Sequence, residues 1–284
     1  MAAYAFRIVN VFAETPLGGN PLAVFEDARG LDDATMQALA LQFNLSETTF
    51  ILPSTAATAQ VRIFTPTFEM PFAGHPTLGT AHVVRSVKGA GDAVTLEMRA
   101  GIIPVRASGD EWTLAAKAPR TRPVAASRAD LAAMLGLAAA DLGGQPLWVD
   151  TGSEQLVIPL ASADAVLRTA PRADLIARHA SVALPGGGSR AMAYVWSESG
   201  AGQVLARFFF LKHGAVVEDP GTGSACANLG GWLVATGASR PCLFVVAQGE
   251  AVGRRCRLGL EVDAAGAIFV SGRVIELGRG TIAL

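Results

Sequence analysis

The chain has 284 residues, 51% of them hydrophobic and 17% charged, with a formal net charge of −1. That length suits two packed domains, and the composition is globular rather than disordered. The balance of 23 basic and 24 acidic residues excludes the basic stripe of a nucleic-acid binder and removes charge as a reason to bind a membrane surface. Cys226, Cys242 and Cys256 form no C-x-x-C, so neither a disulfide framework nor a zinc ribbon is expected. The first twenty residues lack a basic segment followed by a long apolar one. They read as a strand rather than a signal peptide, and a cytoplasmic location is expected.

In chain order, Phe6–Phe12 alternates like a strand, Glu14–Asn20 is a Gly-rich loop and Leu22–Phe25 is a short strand. Asp32 caps a predicted helix carrying Met36, Leu39, Ala40 and Phe43 on one stripe. Thr48–Leu52 and Val61–Phe64 read as strands, Pro71–His75 as a loop, and Thr77–Val87 as a helix ended by Gly89. Strands follow at Val94–Met98, Ile103–Arg106 and Trp112–Ala115. Lys117–Ser127, with Pro119 and Pro123 and no apolar period, is the expected linker. A helix over Arg128–Leu135 precedes strands at Leu147–Val149, Leu156–Leu160, Met192–Trp196 and Val204–Leu211, with a turn at Gly186–Gly188. A loop at Glu218–Gly221 leads into a helix from about Thr222 to Ala235. The stretch Pro220–Ser239 is uncharged, but its glycines and Thr222, Ser224 and Asn228 make it a buried helix rather than a membrane span.

The two halves overlay. Arg62-Ile63-Phe64 matches Arg207-Phe208-Phe209, and Thr77 matches Thr222, at an offset of 145; Gly101 and Arg106 match Gly249 and Arg254 at an offset of 148. An internal duplication is expected, giving two similar lobes over 1–117 and 118–273. The two helix starts, near Gly74–Thr77 and Asp219–Thr222, would then face each other across a cleft. Unpaired N–H groups of a first helical turn attract anions without any Lys or Arg, so a small carboxylate is the expected ligand.

Glu47, at a strand start among Leu45, Phe50 and Ile51, is either a proton shuttle with a raised pKa or an ordinary surface glutamate. His75, between Gly74 and Pro76, either reaches substrate or caps its own loop. His82, His179 and His213 read as structural. Asp219 lies in Glu218-Asp219-Pro220-Gly221-Thr222-Gly223-Ser224-Ala225, at the mouth of the second helix, where it can act on a ligand, cap the helix, or do both. Ser224 can donate to an anion or cap the first turn. Cys226 stands where G-x-G-x-x-G needs glycine, and neither Walker A nor G-x-S-x-G occurs at this loop. No metal or other cofactor is expected.

These segments together resemble the phenazine-biosynthesis isomerase (PhzF-like) family. The matching segments are Val9-Asn10-Val11-Phe12 with Gly19-Asn20-Pro21-Leu22-Ala23-Val24, Leu45-Ser46-Glu47-Thr48, Arg62-Ile63-Phe64-Thr65-Pro66 with Pro71-Phe72-Ala73-Gly74-His75-Pro76-Thr77, and the run from Glu218 to Ala225. The resemblance implies a diaminopimelate-epimerase-like α+β fold: two pseudo-symmetric β-roll lobes, each around a central helix, with the C-terminal segment 274–284 returning to the first. It implies Glu47 as the residue that moves a proton between two carbons, His75 and Asp219 flanking the reacting atoms, and Gly74, Gly223 and Ser224 holding the substrate carboxylate. It also implies a cofactor-independent isomerase and a homodimer. Two other readings remain: a racemase or epimerase with Glu47 and Asp219 as opposed carboxylates, or a non-catalytic anion-binding or partner-binding protein. The loops carry no paired thiols, which speaks against diaminopimelate epimerisation. Phe208-Phe209-Phe210-Leu211-Lys212-His213-Gly214 departs from the family's usual lead into the Asp loop, so the substrate need not be the phenazine precursor.

Overall fold

A computed structural model describes residues 2–184 and 187–284. Gly186, where the expected turn begins, lies outside the described residues; Gly187 and Gly188 have φ of +91° and +77°. The strands are β1 (Ala3–Val11), β2 (Asn20–Phe25), β3 (Thr48–Leu52), β4 (Ala59–Phe64), β5 (Glu69–Met70), β6 (Ala93–Met98), β7 (Gly101–Ser108), β8 (Glu111–Ala115), β9 (Arg120–Pro123), β10 (Leu147–Asp150), β11 (Glu154–Pro159), β12 (Ser181–Ala183), β13 (Ser189–Gly200), β14 (Gln203–Lys212), β15 (Ala215–Asp219), β16 (Cys242–Gln248), β17 (Cys256–Val262) and β18 (Ile268–Ala283). The helices are α1 (Asp33–Phe43), α2 (Gly74–Lys88), α3 (Arg128–Leu135), α4 (Ala163–Arg168), α5 (Ala173–His179) and α6 (Gly223–Ala235). The chain forms two compact units, Met1–Ala115 with Ser271–Leu284, and Ala116–Val270.

In the first unit, β1 and β2 are antiparallel, β2 and β3 parallel, β3 and β4 antiparallel, and β4 and β6 parallel. A meander through β7 and β8 follows, and β18 pairs with both β8 and β1, closing a barrel of eight strands. Each parallel step needs a crossover helix. The first, α1, lies outside, where Met36, Leu39 and Ala40 pack with Phe25, Phe50 and Phe64. Asp32 caps it, accepting from the Thr35 N–H at 2.8 Å. The second, α2, packs against β1, β2, β3, β6 and β8. It is buried from His75 through Ala81 and at Val83 and Val84, so the sheet encloses its first turns on every side, and only its C-terminal end, Ser86 to Lys88, reaches solvent. A Cβ at Gly79 would lie 2.7 Å from Leu22 Cδ2 and 2.9 Å from Val11 Cγ2, so a glycine seats the helix against β1 and β2.

The second unit repeats the series. β9–β10 and β10–β11 are antiparallel, β11–β13 parallel, β13–β14 antiparallel, β14–β16 parallel and β16–β17 antiparallel. The helix α6 takes the place of α2, against β9, β10, β11 and β17. Outside, Leu131, Met134 and Leu135 of α3 join Val166, Ile176, Ile158 and Phe209 in a core. The crossover from β11 to β13 holds α4 and α5, which the sequence reading missed. At six and seven residues they are too short to display a helical period. The expected linker also contains strand β9, paired Arg120↔Asp150 through Pro123↔Leu147. Its side chains are all exposed and Pro123 closes it, so no alternation marks it.

The repeat extends to side chains. Arg62 on β4 binds Glu69 on β5 at 2.7–2.8 Å and lies 5.1 Å over the Phe64 ring. Arg207 on β14 binds Glu218 on β15 at 2.7–3.1 Å and lies 4.7 Å over Phe209. The strand residues are 145 positions apart, but Glu69 and Glu218 are 149 apart, because the second hairpin is four residues longer. The helix starts keep the offset of 149. Gly74 therefore corresponds to Gly223, His75 to Ser224 and the N-cap Ala73 to the N-cap Thr222. This corrects the pairing of Thr77 with Thr222.

Candidate active site

The helix α2 begins three residues before its expected start, which places His75 and Pro76 in the first turn. Proline is tolerated there because a first-turn N–H has no intrahelical partner. Glu47 immediately precedes β3, the strand paired with β2. His75 Nε2 lies 3.5 Å from Glu47 Oε2, and both side chains are largely enclosed, at 7% and 15% exposure. Burial pushes the His75 imidazole down to about 3, opposed by a hydrogen bond with the Pro21 backbone. Proline offers only a carbonyl, so the ring donates this bond. Nε2 has no hydrogen-bond partner among the described residues, so the donor is Nδ1. The neutral tautomer is thereby fixed, with the Nε2 lone pair turned to Glu47. In the sequence Pro21 is only one residue of a motif; its carbonyl reaches His75 because the fold packs α2 against β2.

The N-cap of α2 is Ala73, which has no side chain to cap the N–H groups of Gly74 and His75. Thr77, expected to face the ligand, is fully buried. Its hydroxyl donates back to the Ala73 carbonyl at 2.7 Å. His82 accepts from Trp112 Nε1 at 3.3 Å, and burial pushes its imidazole down.

In the second unit, Asp219 ends β15 and Thr222 is the N-cap of α6, again without a side-chain cap bond. The Thr222 hydroxyl donates to Asp219 Oδ2. Gln248, at the end of β16, holds both residues: its Nε2 donates to the Asp219 carbonyl at 2.9 Å and to Thr222 Oγ1 at 3.0 Å. Thr222 Oγ1 thus accepts from an amide and donates to a carboxylate, an arrangement suited to an ionised Asp219 side chain. Gly249 follows at φ +82°, and a Cβ there would collide with the carbonyls of Arg254 and Pro220. Ser224, the second residue of α6, accepts from Gln155 Nε2 at 2.9 Å. The sequence singles out Asp219, Gly223 and Ser224 in this region, but not Gln155, Asn228 and Gln248, which the fold bonds to one another or beside them. Isolated amides on strands and helices carry no local signal.

Cross-strand pairing sets Tyr194, Phe208 and Asp219 side by side on one sheet face. Phe209 faces the other way, into the outer core beneath Arg207. The departure from the family pattern at Phe208–Phe210 therefore splits: Phe208 and Phe210 share the Asp219 face, and Phe209 does not. Burial pushes the Cys226 and Cys256 thiols up, so neither is held as a thiolate. Among the described residues no three His, Cys, Asp or Glu are placed to hold a metal ion, and no helix is long and apolar enough to cross a membrane.

With this geometry in hand, residues 9–277 match the family model described as phenazine biosynthesis-like protein. The chain belongs to that family. It is 38% identical over 285 residues, 99% of this chain and 95% of the other, to an uncharacterised isomerase of Pasteurella multocida. It is 33% identical over 292 residues to the trans-2,3-dihydro-3-hydroxyanthranilate isomerase of Pseudomonas fluorescens, covering 98% of this chain and 99% of that one. The structure of a PhzF-family phenazine biosynthesis protein from Bacillus anthracis aligns over all of both chains with a TM-score of 0.84 at 23% identity, which shows the shared fold. The chain is an isomerase of this family, with the α+β, epimerase-like fold of paired β-roll lobes.

Proposed function

We propose that this isomerase moves a proton between two carbons of a small cyclic carboxylate, with Glu47 as the carrier and no cofactor. The Glu47 carboxylate takes the proton from one carbon, and the released electron pair shifts into the adjoining double bond. The same carboxyl group then returns the proton to the far carbon of that system, so no electrons are gained or lost. The observation that carries this reading is the 3.5 Å approach of Glu47 to a neutral His75. A protonated Glu47 can donate to the Nε2 lone pair, which holds the proton between its removal from one carbon and its delivery to the other.

In this reading His75 and Asp219 flank the reacting atoms. Gly74, Gly223 and Ser224 bind the substrate carboxylate through first-turn N–H groups and the Ser224 hydroxyl. A ring substrate is supported by the relative named for a dihydro-hydroxyanthranilate and by Phe208 and Phe210 on the Asp219 face. A cytoplasmic homodimer belongs to the same reading, and cell fractionation and light scattering test it.

The deciding experiment is a screen of small cyclic carboxylates in heavy water, followed by NMR. The wild type should incorporate deuterium at the position that gains a proton, and Glu47→Gln should not. A Gln variant that exchanges at the wild-type rate removes Glu47 from the mechanism.

A further inference from the structure

The hydrogen bonds behind Ser224 have only one possible direction. The Thr151 backbone N–H donates to Asn228 Oδ1 at 2.9 Å, and the Thr151 hydroxyl does so at 2.7 Å. Asn228 Nδ2 meets the Ser153 carbonyl at 2.8 Å and Gln155 Oε1 at 2.9 Å. A backbone N–H can only donate and a backbone carbonyl can only accept. Asn228 is therefore pinned at both ends and cannot be turned over. Its N–H points at Gln155, so Gln155 must offer oxygen there and N–H to Ser224. Ser224 Oγ is thus an acceptor in this chain, and its one proton is left for something else. Among the described residues the Ser224 hydroxyl donates to no group. Asn228 is fully buried and Gln155 is 2% exposed, so water does not compete for these bonds.

We propose that Gln155 and Asn228 are positioning residues that hold Ser224 as a committed hydrogen-bond donor to the substrate carboxylate. This rests on the assignment of Ser224 to substrate binding made above. A serine on a helix can also turn its proton back to a carbonyl of the preceding turn, or accept from a ligand. The amide relay selects against accepting, because the lone pair facing the strand is already filled. The carboxylate then meets the Ser224 O–H together with the uncapped N–H groups of Gly223 and Ser224, all of them donors. Neutral amides supply this without a cation, consistent with an anion site that carries no Lys or Arg.

The relay predicts that changing its direction from a distance weakens anion binding only through Ser224. Asn228→Asp keeps size and still accepts from Thr151, but can donate neither to Gln155 nor to the Ser153 carbonyl. Gln155 would then turn over and present oxygen to Ser224, drawing the hydroxyl proton inward. Gln155→Leu removes the N–H altogether. Binding of benzoate and 2-aminobenzoate is measured by calorimetry in each variant, alone and combined with Ser224→Ala. Ser224→Ala should weaken binding about 10-fold, the scale of one hydrogen bond to a charged group. Asn228→Asp and Gln155→Leu should each do nearly the same. Added to Ser224→Ala, either should cost less than about twofold, since the hydroxyl they act through is gone.

If the losses simply multiply, the amides have a general structural role and the relay is wrong. If Ser224→Ala weakens binding while both relay variants bind like wild type, the relay alone falls. If Ser224→Ala binds like wild type, or no probe binds the wild type, the carboxylate assignment of Ser224 falls and takes the relay with it. Should Gln155→Leu fail to fold, Asn228→Asp reads the same direction of the same bonds.

Discussion

In the first unit the inner helix begins Ala73-Gly74-His75-Pro76; in the second it begins Thr222-Gly223-Ser224-Ala225. The strands around the two helices pair in the same order, and the Arg–Glu–Phe groupings beside them are the same. What fills the frame differs. Five residues into the helix, Gly79 seats α2 directly on Leu22 and Val11, whereas the corresponding Asn228 opens a buried network of amides and hydroxyls. At the end of the return strand, Met70 corresponds to Asp219. The first unit thus uses dry packing to keep a histidine neutral beside a carboxyl group. The second uses directed hydrogen bonds to present a donor and hold a carboxylate. One backbone plan, read twice, gives two different helix starts, because burial disfavours a charged imidazole but leaves a fully bonded amide intact; in the proposed function the first serves acid–base chemistry and the second binding.

The largest expected effect separates these halves by function. Glu47→Gln keeps the shape of the side chain and removes its basic oxygen. Turnover should fall at least about 100-fold, the lower end of acid–base contributions, while the melting temperature changes little. A comparable loss of turnover from Gly79→Ala, which touches no reacting group, would show that packing rather than proton transfer limits the first unit.

The next test is of stability. Asn228→Ala leaves the Thr151 N–H, the Ser153 carbonyl and the Gln155 amide oxygen without their bonds in the interior. The expected cost is about 3 kcal/mol, the scale of stranding buried polar groups. The mirror change, Gly79→Ala, forces a methyl group against Leu22 and Val11 and should cost about 1–3 kcal/mol through overpacking. Denaturant unfolding of both variants checks this. Equal tolerance at the two positions would mean that the polar network is not a structural counterpart of the apolar contact.

The neutral state of His75 has a signature in pH. Its folded pKa, about 3, lies below the ordinary 6.5. Between these values the unfolded chain binds a proton that the folded chain refuses, so stability rises with pH through this window and levels off above it. His75→Gln should flatten that slope, recovering about 2 kcal/mol between pH 6.5 and pH 5 relative to wild type. Identical acid slopes in the two proteins would show that His75 takes up a proton in the folded state. An acidic limb in the activity profile near neutral pH would then belong to His75.

Much of this contrast was legible in the sequence. Glu47, His75, Asp219 and Ser224 stood out because short motifs surround them, and the repeated Arg-x-Phe strands exposed the duplication. Gln155, Asn228 and Gln248 did not stand out. Each is a lone amide whose partners lie 26 to 77 positions away, and no local pattern encodes such bonds. The helices α4 and α5 were hidden by brevity, and β9 by full exposure and prolines. The offset failed at the helix starts for a definite reason: matching Thr77 to Thr222 ignored four extra residues in the β14–β15 hairpin.

That misregistration leads to the smallest expected effect. Read as a counterpart of Thr222, Thr77 would belong to the mouth of its helix. In the fold it is the fourth helical residue, fully buried, with its hydroxyl spent on the Ala73 carbonyl and its N–H bonded to the same oxygen. That carbonyl keeps one partner if the hydroxyl goes, so no buried group is orphaned. Thr77→Val replaces the hydroxyl with a methyl of similar size and should cost less than about 1 kcal/mol. Its effect on carboxylate affinity should be under about twofold, against about 10-fold for Ser224→Ala. Calorimetry on the two variants in parallel makes the distinction. A Thr77→Val protein that loses affinity as Ser224→Ala does would restore Thr77 to the binding group and undo the helix-start correspondence of Gly74 with Gly223.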